Sequence, residues 1–314
     1  MPIIDIHTHI YPVKIAKKAT LAVGNFYNLP MFGAQYAEDE MARDPDALVG
    51  AEASAAVFEA GLAHPDNVYA STAEDPTDIT VAYPGTVAQL LSATQHCPIT
   101  HFAVLGVATK DTQVESINNF LIEECRQHPN FIGFASMHQD YLNPEAELRR
   151  VRDAGLVGVK IHPDIQGVAL NDPRLMEVYA ICERLGLAVT LHTGDYRRDL
   201  SHPYRLVEVL HTFPKLRVNG AHFGGWSIYD LALEFLEHEN CFVDASSAVA
   251  FLGRRRVREL IELYGADRVM FGSDYPMSSP AHTYNEMMAL GLSEADREKF
   301  MWHTAEEFLQ REIH

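Results

Sequence analysis

Eight short apolar stretches, each parted from the next by a helix-like segment, predict an α/β fold of the (β/α)8 TIM-barrel type. Two further observations favour a closed barrel over an open doubly wound sheet. Polar side chains recur at the C-terminal ends of the strands, where such barrels gather their functional groups. No Gly-x-Gly-x-x-Gly follows the first strand, as a dinucleotide-binding sheet would require.

Strand one is Ile3–His9, rich in β-branched residues and starting just after a proline. Strict alternation puts Asp5, His7 and His9 on one face and Ile4, Ile6 and Thr8 toward the opposite layer. A long insertion follows, about residues 12–98, in which no simple pattern holds. It contains the aromatic stretch Phe26–Gly33, a helix-like Ala-rich segment Asp46–Ala63 and a turn-rich span Pro65–Pro84. An excursion of this length between core elements serves as a lid, a pocket wall or a contact between copies of the chain in a homo-oligomer.

Regular alternation begins at Thr86. Helix Thr86–Gln95 leads to strand His101–Val107, and amphipathic Asp111–Gln127 to strand Phe131–Met137. Helix Pro144–Ala154 precedes strand Val157–Ile161, and helix Pro173–Leu185 precedes strand Ala188–Leu191. Helix Pro203–Thr212 then leads to strand Leu216–Ala221, and helix Ile228–His238 to strand Cys241–Ala245. Helix Arg254–Tyr264 leads to the last strand, Arg268–Ser273. The tail, Ala281–Ile313, carries further helical segments expected to pack outside the barrel. No linker, repeat or low-complexity tract divides residues 1–314, so one domain is expected.

Composition narrows the function. With 47% hydrophobic and 22% charged residues, the 314-residue chain can bury a sizeable core. Lys plus Arg is 25 against 43 for Asp plus Glu, a formal charge of -18, which argues against nucleic acid or an anionic membrane as partner. A small anionic substrate meets a local field instead, and is not excluded. The four cysteines, Cys97, Cys125, Cys182 and Cys241, form no Cys-x-x-Cys, and no apolar run approaches a membrane span. A cleaved signal peptide would remove His7 and His9. The expected location is cytoplasmic.

Chemistry-bearing residues fall on five strand ends. Strand one ends at His7 and His9; strand four carries Lys160 and His162 on one face; strand five ends Leu191-His192-Thr193. Strand six ends Ala221-His222-Phe223-Gly224-Gly225, and strand eight Phe271-Gly272-Ser273-Asp274-Tyr275-Pro276. A single histidine at a strand end is more often a hydrogen-bonded residue than a ligand, and Asp274 alone could merely close a turn. Five coincidences are harder to accept. His7, His9, His192 and Asp274 make a nitrogen and oxygen set suited to a divalent ion, Zn2+ first and Mn2+ second.

Taken together, these motifs resemble the amidohydrolase superfamily, and within it the amidohydrolase-related branch that includes aminocarboxymuconate-semialdehyde decarboxylase. The resemblance covers strand one and nearly everything from Thr86 onward. It implies a metal-dependent barrel enzyme, with His7, His9, His192 and Asp274 at metal-ligand positions and His222 at that of a water-orienting histidine. Lys160 matches the position where binuclear members carry a carboxylated lysine, and otherwise pairs with a substrate carboxylate. Thr304-Ala305 stands where the family often has Asn-Ala.

Metal-bound water is acidified toward neutrality, and Asp274 can move its proton. Lys160, His162 and Arg197 are the candidates for gripping a substrate carboxylate, and His222 for holding a developing oxyanion. The leading expectation is therefore hydrolysis of a small carboxylated amide, lactone or related ring. The alternative on the same ligands is non-oxidative decarboxylation of an unsaturated or aromatic acid. A nuclease is weaker, because strand four offers Lys160 and no bridging glutamate. A metal-dependent binding protein would leave Asp274 and His222 idle.

Overall fold

A computed structural model describes residues 2–16, 18–19 and 85–313. Of the expected insertion, residues 17 and 20–84 lie outside these, and with them the aromatic stretch at 26–33, the expected helix at 46–63 and the turn-rich span at 65–84. Eight parallel strands stand in chain order: β1 Ile4–His9, β2 His101–Leu105, β3 Phe131–Ser136, β4 Gly158–Ile161, β5 Ala188–Leu191, β6 Val218–Gly220, β7 Phe242–Asp244 and β8 Val269–Met270. Backbone bonds from Ile6 N to Phe271 O (3.0 Å), Asp274 N to His7 O (2.8 Å) and His9 N to Tyr275 O (2.7 Å) join the last strand to the first. The ring closes as a (β/α)8 barrel.

Between the strands run α1 Val87–Thr94, α2 Val114–Gln127, α3 Pro144–Asp153, α4 Pro163–Gln166, α5 Pro173–Leu185, α6 Pro203–Thr212, α7 Tyr229–Leu236 and α8 Val249–Tyr264. The tail adds α9 Pro280–Met288, α10 Glu294–Glu298, a π turn at Lys299–His303 and α11 Thr304–Leu309. Several helices begin with proline behind a capping side chain, such as Asp172 before Pro173 and Ser279 before Pro280. That punctuation is why the expected bounds of α5 and α6 match the observed ones. Among the described residues, no helix is long and apolar enough to cross a membrane. All four cysteines are free.

Four expectations need correction. First, β1 does not alternate regularly. Its register against β2 slips between Asp5 and Thr8, so that β1 carries one residue more than β2 over that stretch. Ile4 and Ile6 therefore join Ala103, Ile132, Phe134 and Met270 in the apolar cluster of the barrel floor, while His7 and His9 still bring their Nε2 atoms together. Second, the tail does more than pack outside. Ala305, Phe308, Leu309 and Ile313 belong to the same floor cluster, and the Phe308 ring stacks 6.0 Å from Phe134. Arg217, donating to the Phe308 carbonyl, fastens the plug. Third, β8 is shorter than expected, because Phe271 N bonds to Phe300 O (3.0 Å) in the π turn instead of extending the ladder. Fourth, helix α8 starts before Arg254, with a break at Gly253.

The other apolar cluster lies between strands and helices and includes Val104, Ala135, Val159, Leu191, Val218, Val243 and Phe271. The barrel is thus apolar below and around. Its polar residues are concentrated at the opposite end.

Candidate metal centre at the barrel mouth

His7 and His9 leave β1 with their Nε2 atoms 3.3 Å apart. Asp274 Oδ1 lies 3.6 Å from His7 Nε2 and 3.9 Å from His9 Nε2. All three residues are buried. The local backbone explains the aim of Asp274: it sits at φ 62°, in the left-handed region that non-glycine residues seldom occupy. His222 (φ 59°) and Ser247 (φ 53°) share that conformation, and such strain gathers at functional sites. Ser247 Oγ donates to Asp274 Oδ2 at 2.5 Å, holding the far side of the carboxylate. At Gly272 a Cβ would stand 3.0 Å from the Cβ of His7, so glycine is what lets β8 pass so close to β1.

Lys160 rises from β4 with Nζ 3.1 Å from His7 Nε2 and is buried. Burial pulls its pKa down to about 8, against the opposing charges of Asp244 and Asp274. His192, after β5, presents Nδ1 to His222 Nε2 at 3.2 Å. The His222 ring lies 5.0 Å from that of His7, which links β5 and β6 to the β1 pair. His162 lies flat on His192, with ring centroids 3.9 Å apart, and its Nδ1 accepts from Ile165 N (3.4 Å) at the start of α4. Asp164 completes a second close group with these two histidines and accepts a hydrogen bond from Ser201. Arg197 turns back on its own loop: Nε and Nη2 reach the two oxygens of Asp195 at 2.8 and 2.6 Å.

Burial lowers His9, His162 and His192 well below the usual imidazole range, helped by the neighbouring charges of the cluster. Burial also lowers His222 to about 4, although Asp274 and Asp244 pull the other way. Neutral imidazoles are the form that binds metals.

Sequence reasoning passed over strand seven. Asp244 there accepts from His7 Nδ1 (3.0 Å) and from Asn219 Nδ2 (2.8 Å), and Ser246 Oγ stands 3.1 Å from His7 Nδ1 and 2.9 Å from His222 Nδ1. Burial works to raise Asp244, yet its pairing with His7 and the hydrogen bonds from His7 and Ser246 leave its carboxyl well below the usual range. The signal was available: an aspartate ends the apolar run Cys241-Phe242-Val243.

The donor set fits a divalent cation. Atoms sharing an ion at about 2.0–2.2 Å stand about 3–3.5 Å apart. His7, His9 and Asp274 come close to that spacing. Two imidazole nitrogens and a carboxylate oxygen, all buried at one point, are the ligand types a divalent cation takes.

The family model described as Amidohydrolase matches residues 4–311. Gamma-resorcylate decarboxylase of Rhodococcus jostii (strain RHA1) is 29% identical over 237 residues, 58% of this chain and 71% of that protein. The 2-amino-3-carboxymuconate-6-semialdehyde decarboxylase of Dictyostelium discoideum is 25% identical over 235 residues, 62% of this chain and 65% of that protein. A solved structure, 5-carboxyvanillate decarboxylase from Novosphingobium aromaticivorans DSM 12444 with manganese and 4-hydroxy-3-methoxy-5-nitrobenzoic acid, gives a TM-score of 0.65 at 15% identity, covering 98% of this chain and 96% of that one. At that identity the likeness speaks for the barrel alone.

Proposed function

Since the chain belongs to the amidohydrolase family, we propose that it is a metal-dependent, non-oxidative decarboxylase of a small aromatic or unsaturated carboxylic acid. This reverses the order of the two enzyme readings made from sequence, in which hydrolysis led. The site chemistry serves either reaction; the activities for which the two relatives are named favour loss of carbon dioxide. The observation that carries the reading is the buried meeting of His7 Nε2, His9 Nε2 and Asp274 Oδ1 at the strand ends.

His7, His9, His192 and Asp274 would hold the ion. Three imidazoles and one carboxylate suit Zn2+, while the manganese in the 5-carboxyvanillate enzyme makes Mn2+ the alternative to measure. When bound, the ion supplies fixed positive charge that orients the substrate's oxygens and stabilises negative charge built up during reaction. Lys160 meets the substrate carboxylate. Asp274, as the acid, delivers a proton to the carbon bearing that carboxylate. The carbon–carbon bond then breaks, its electron pair stays with the substrate carbon, and carbon dioxide leaves; solvent reprotonates Asp274. His222 donates from Nδ1 to the Ser246 carbonyl (3.1 Å), so its Nε2 carries a lone pair, which faces His192 Nδ1 (3.2 Å).

The test is product analysis. The metal-loaded protein is offered ortho-hydroxybenzoates, carboxylated unsaturated acids, lactones and amides in heavy-oxygen water. Carbon dioxide released one-for-one with a product free of solvent oxygen is the expected result. Solvent oxygen in the product without carbon dioxide would restore hydrolysis.

A further inference from the structure

We propose that Asp244 is a positioning residue that fixes the tautomer of His7 and so readies His7 Nε2 for a metal ion. The proposal rests on the metal-centre reading above and deepens it.

Five donors converge on this one carboxylate. Oδ2 receives His7 Nδ1 (3.0 Å) and Asn219 Nδ2 (2.8 Å). Oδ1 receives His222 N (3.2 Å), Ser246 N (3.1 Å) and Ser246 Oγ. An ionised carboxylate only accepts, so His7 Nδ1 must carry the ring proton. The Ser246 hydroxyl has a single proton and gives it to Asp244, so toward His7 Nδ1 it also acts as an acceptor. Nothing on that side of the ring can donate to His7. On the other side Lys160 Nζ, an ammonium that can only donate, lies 3.1 Å from Nε2, so the lone pair is on Nε2, the atom that also faces His9 and Asp274. A carboxylate behind a ligating imidazole sets its orientation and raises its basicity. Asp244 is fully buried, so no water competes for these contacts.

Asparagine at this position breaks the logic without changing the shape. The backbone N–H groups of His222 and Ser246 cannot turn, so they keep the amide oxygen of Asp244→Asn on their side. The amide nitrogen then faces His7 Nδ1 and Asn219. Asn219 can turn its own amide, but His7 can answer only by moving its proton to Nε2. That removes the lone pair a metal needs.

Two measurements test this. Nitrogen NMR of the metal-free protein should show His7 as the Nδ1–H tautomer in the natural chain and as Nε2–H in Asp244→Asn. Titration with Zn2+ or Mn2+ alone should show the variant's dissociation constant weakened by about 10- to 100-fold. An Nε2–H tautomer in the natural protein overturns the proposal even if the variant never folds. So does a folded variant that loses metal while His7 keeps its tautomer, since Asp244 would then act through structure alone. Failure of the natural protein to bind either ion would instead overturn the metal-centre reading itself, whichever tautomer His7 shows.

Discussion

Two buried polar clusters lie within this barrel, and they are built on opposite terms. In the outer one, between α2, α3 and β3, donors meet acceptors. Asn118 Oδ1 accepts from Ser136 N (2.7 Å), and its Nδ2 donates to Ser136 O (3.2 Å) and to Glu147 Oε1 (2.7 Å). Arg150 grips both Glu147 oxygens at 2.7 and 2.8 Å, and Ser136 Oγ accepts from Ala108 N at 2.6 Å. At the mouth, metal-type donor atoms crowd together around the Lys160 ammonium, whose Nζ is 3.1 Å from His7 Nε2. Nitrogen faces nitrogen at 3.3 Å between His7 and His9, Asp274 Oδ1 points at both, and His9 Nδ1 has no hydrogen-bond partner among the described residues. A cluster that satisfies itself explains itself by stability. One that gathers metal-type ligands and leaves His9 Nδ1 unpaired is arranged for something beyond its own stability, and that difference separates structure from function here.

The sharpest way to break the comparison is to remove both β1 imidazoles. His7→Ala with His9→Ala should abolish retention of any divalent ion after dialysis, while circular dichroism and a cooperative melt show the barrel intact. Full metal occupancy in that double variant, measured by elemental analysis, would strip the mouth of its assigned role.

Next comes Asp274. Asparagine keeps the shape and can still offer an oxygen to a metal, but it cannot carry the proton. Turnover should fall by about a hundredfold or more. KM should change far less. Near-normal turnover would reduce Asp274 to a ligand or a turn residue.

What could be read from sequence follows the same division. Helix starts marked by proline and a cap were legible, as were the strand-end residues His7, His9, Lys160, His222 and Asp274. Each announces itself by type and by its place after an apolar run. The β1 bulge was not legible, because Ile-Asp-Ile-His alternates perfectly in type and the extra residue shows only against β2. Nor could the tail's destination be read: an amphipathic segment declares an apolar face but not which surface receives it. Arg197 was proposed for the substrate; its spacing from Asp195 is visible in the sequence, yet the fold-back that joins them is not. Asp244 also ends an apolar run, but its hydrogen bond to His7, 237 positions away, shows only in the folded barrel.

The outer cluster should answer to stability alone. Asn118→Leu leaves Ser136 N without its acceptor and Glu147 without one of its donors. Denaturant unfolding should show a loss of about 1–3 kcal/mol, the cost of buried polar groups left unmade. Metal affinity should not move. A variant that lost metal in proportion to stability would show the two clusters to be one.

The smallest effect expected is also the one whose sign discriminates best. Burial alone would raise Glu147, but the hydrogen bonds from Arg150 and Asn118 and the charge of Arg150 overcome it, and its pKa is lowered from 4.5. A depressed folded-state carboxyl contributes stability above its unfolded value, and that contribution is lost as pH falls through the folded one. Glu147→Gln removes the titration but keeps much of the shape. The natural protein should therefore be the more stable of the two at about pH 6, and the gap should shrink as pH drops below 4.5. Because Arg150 is largely in solvent, the pH-dependent part should stay within about 1 kcal/mol and weaken with salt. A gap that ignores both pH and salt would mean Glu147 is held by fit and hydrogen-bond geometry, with its charge contributing nothing.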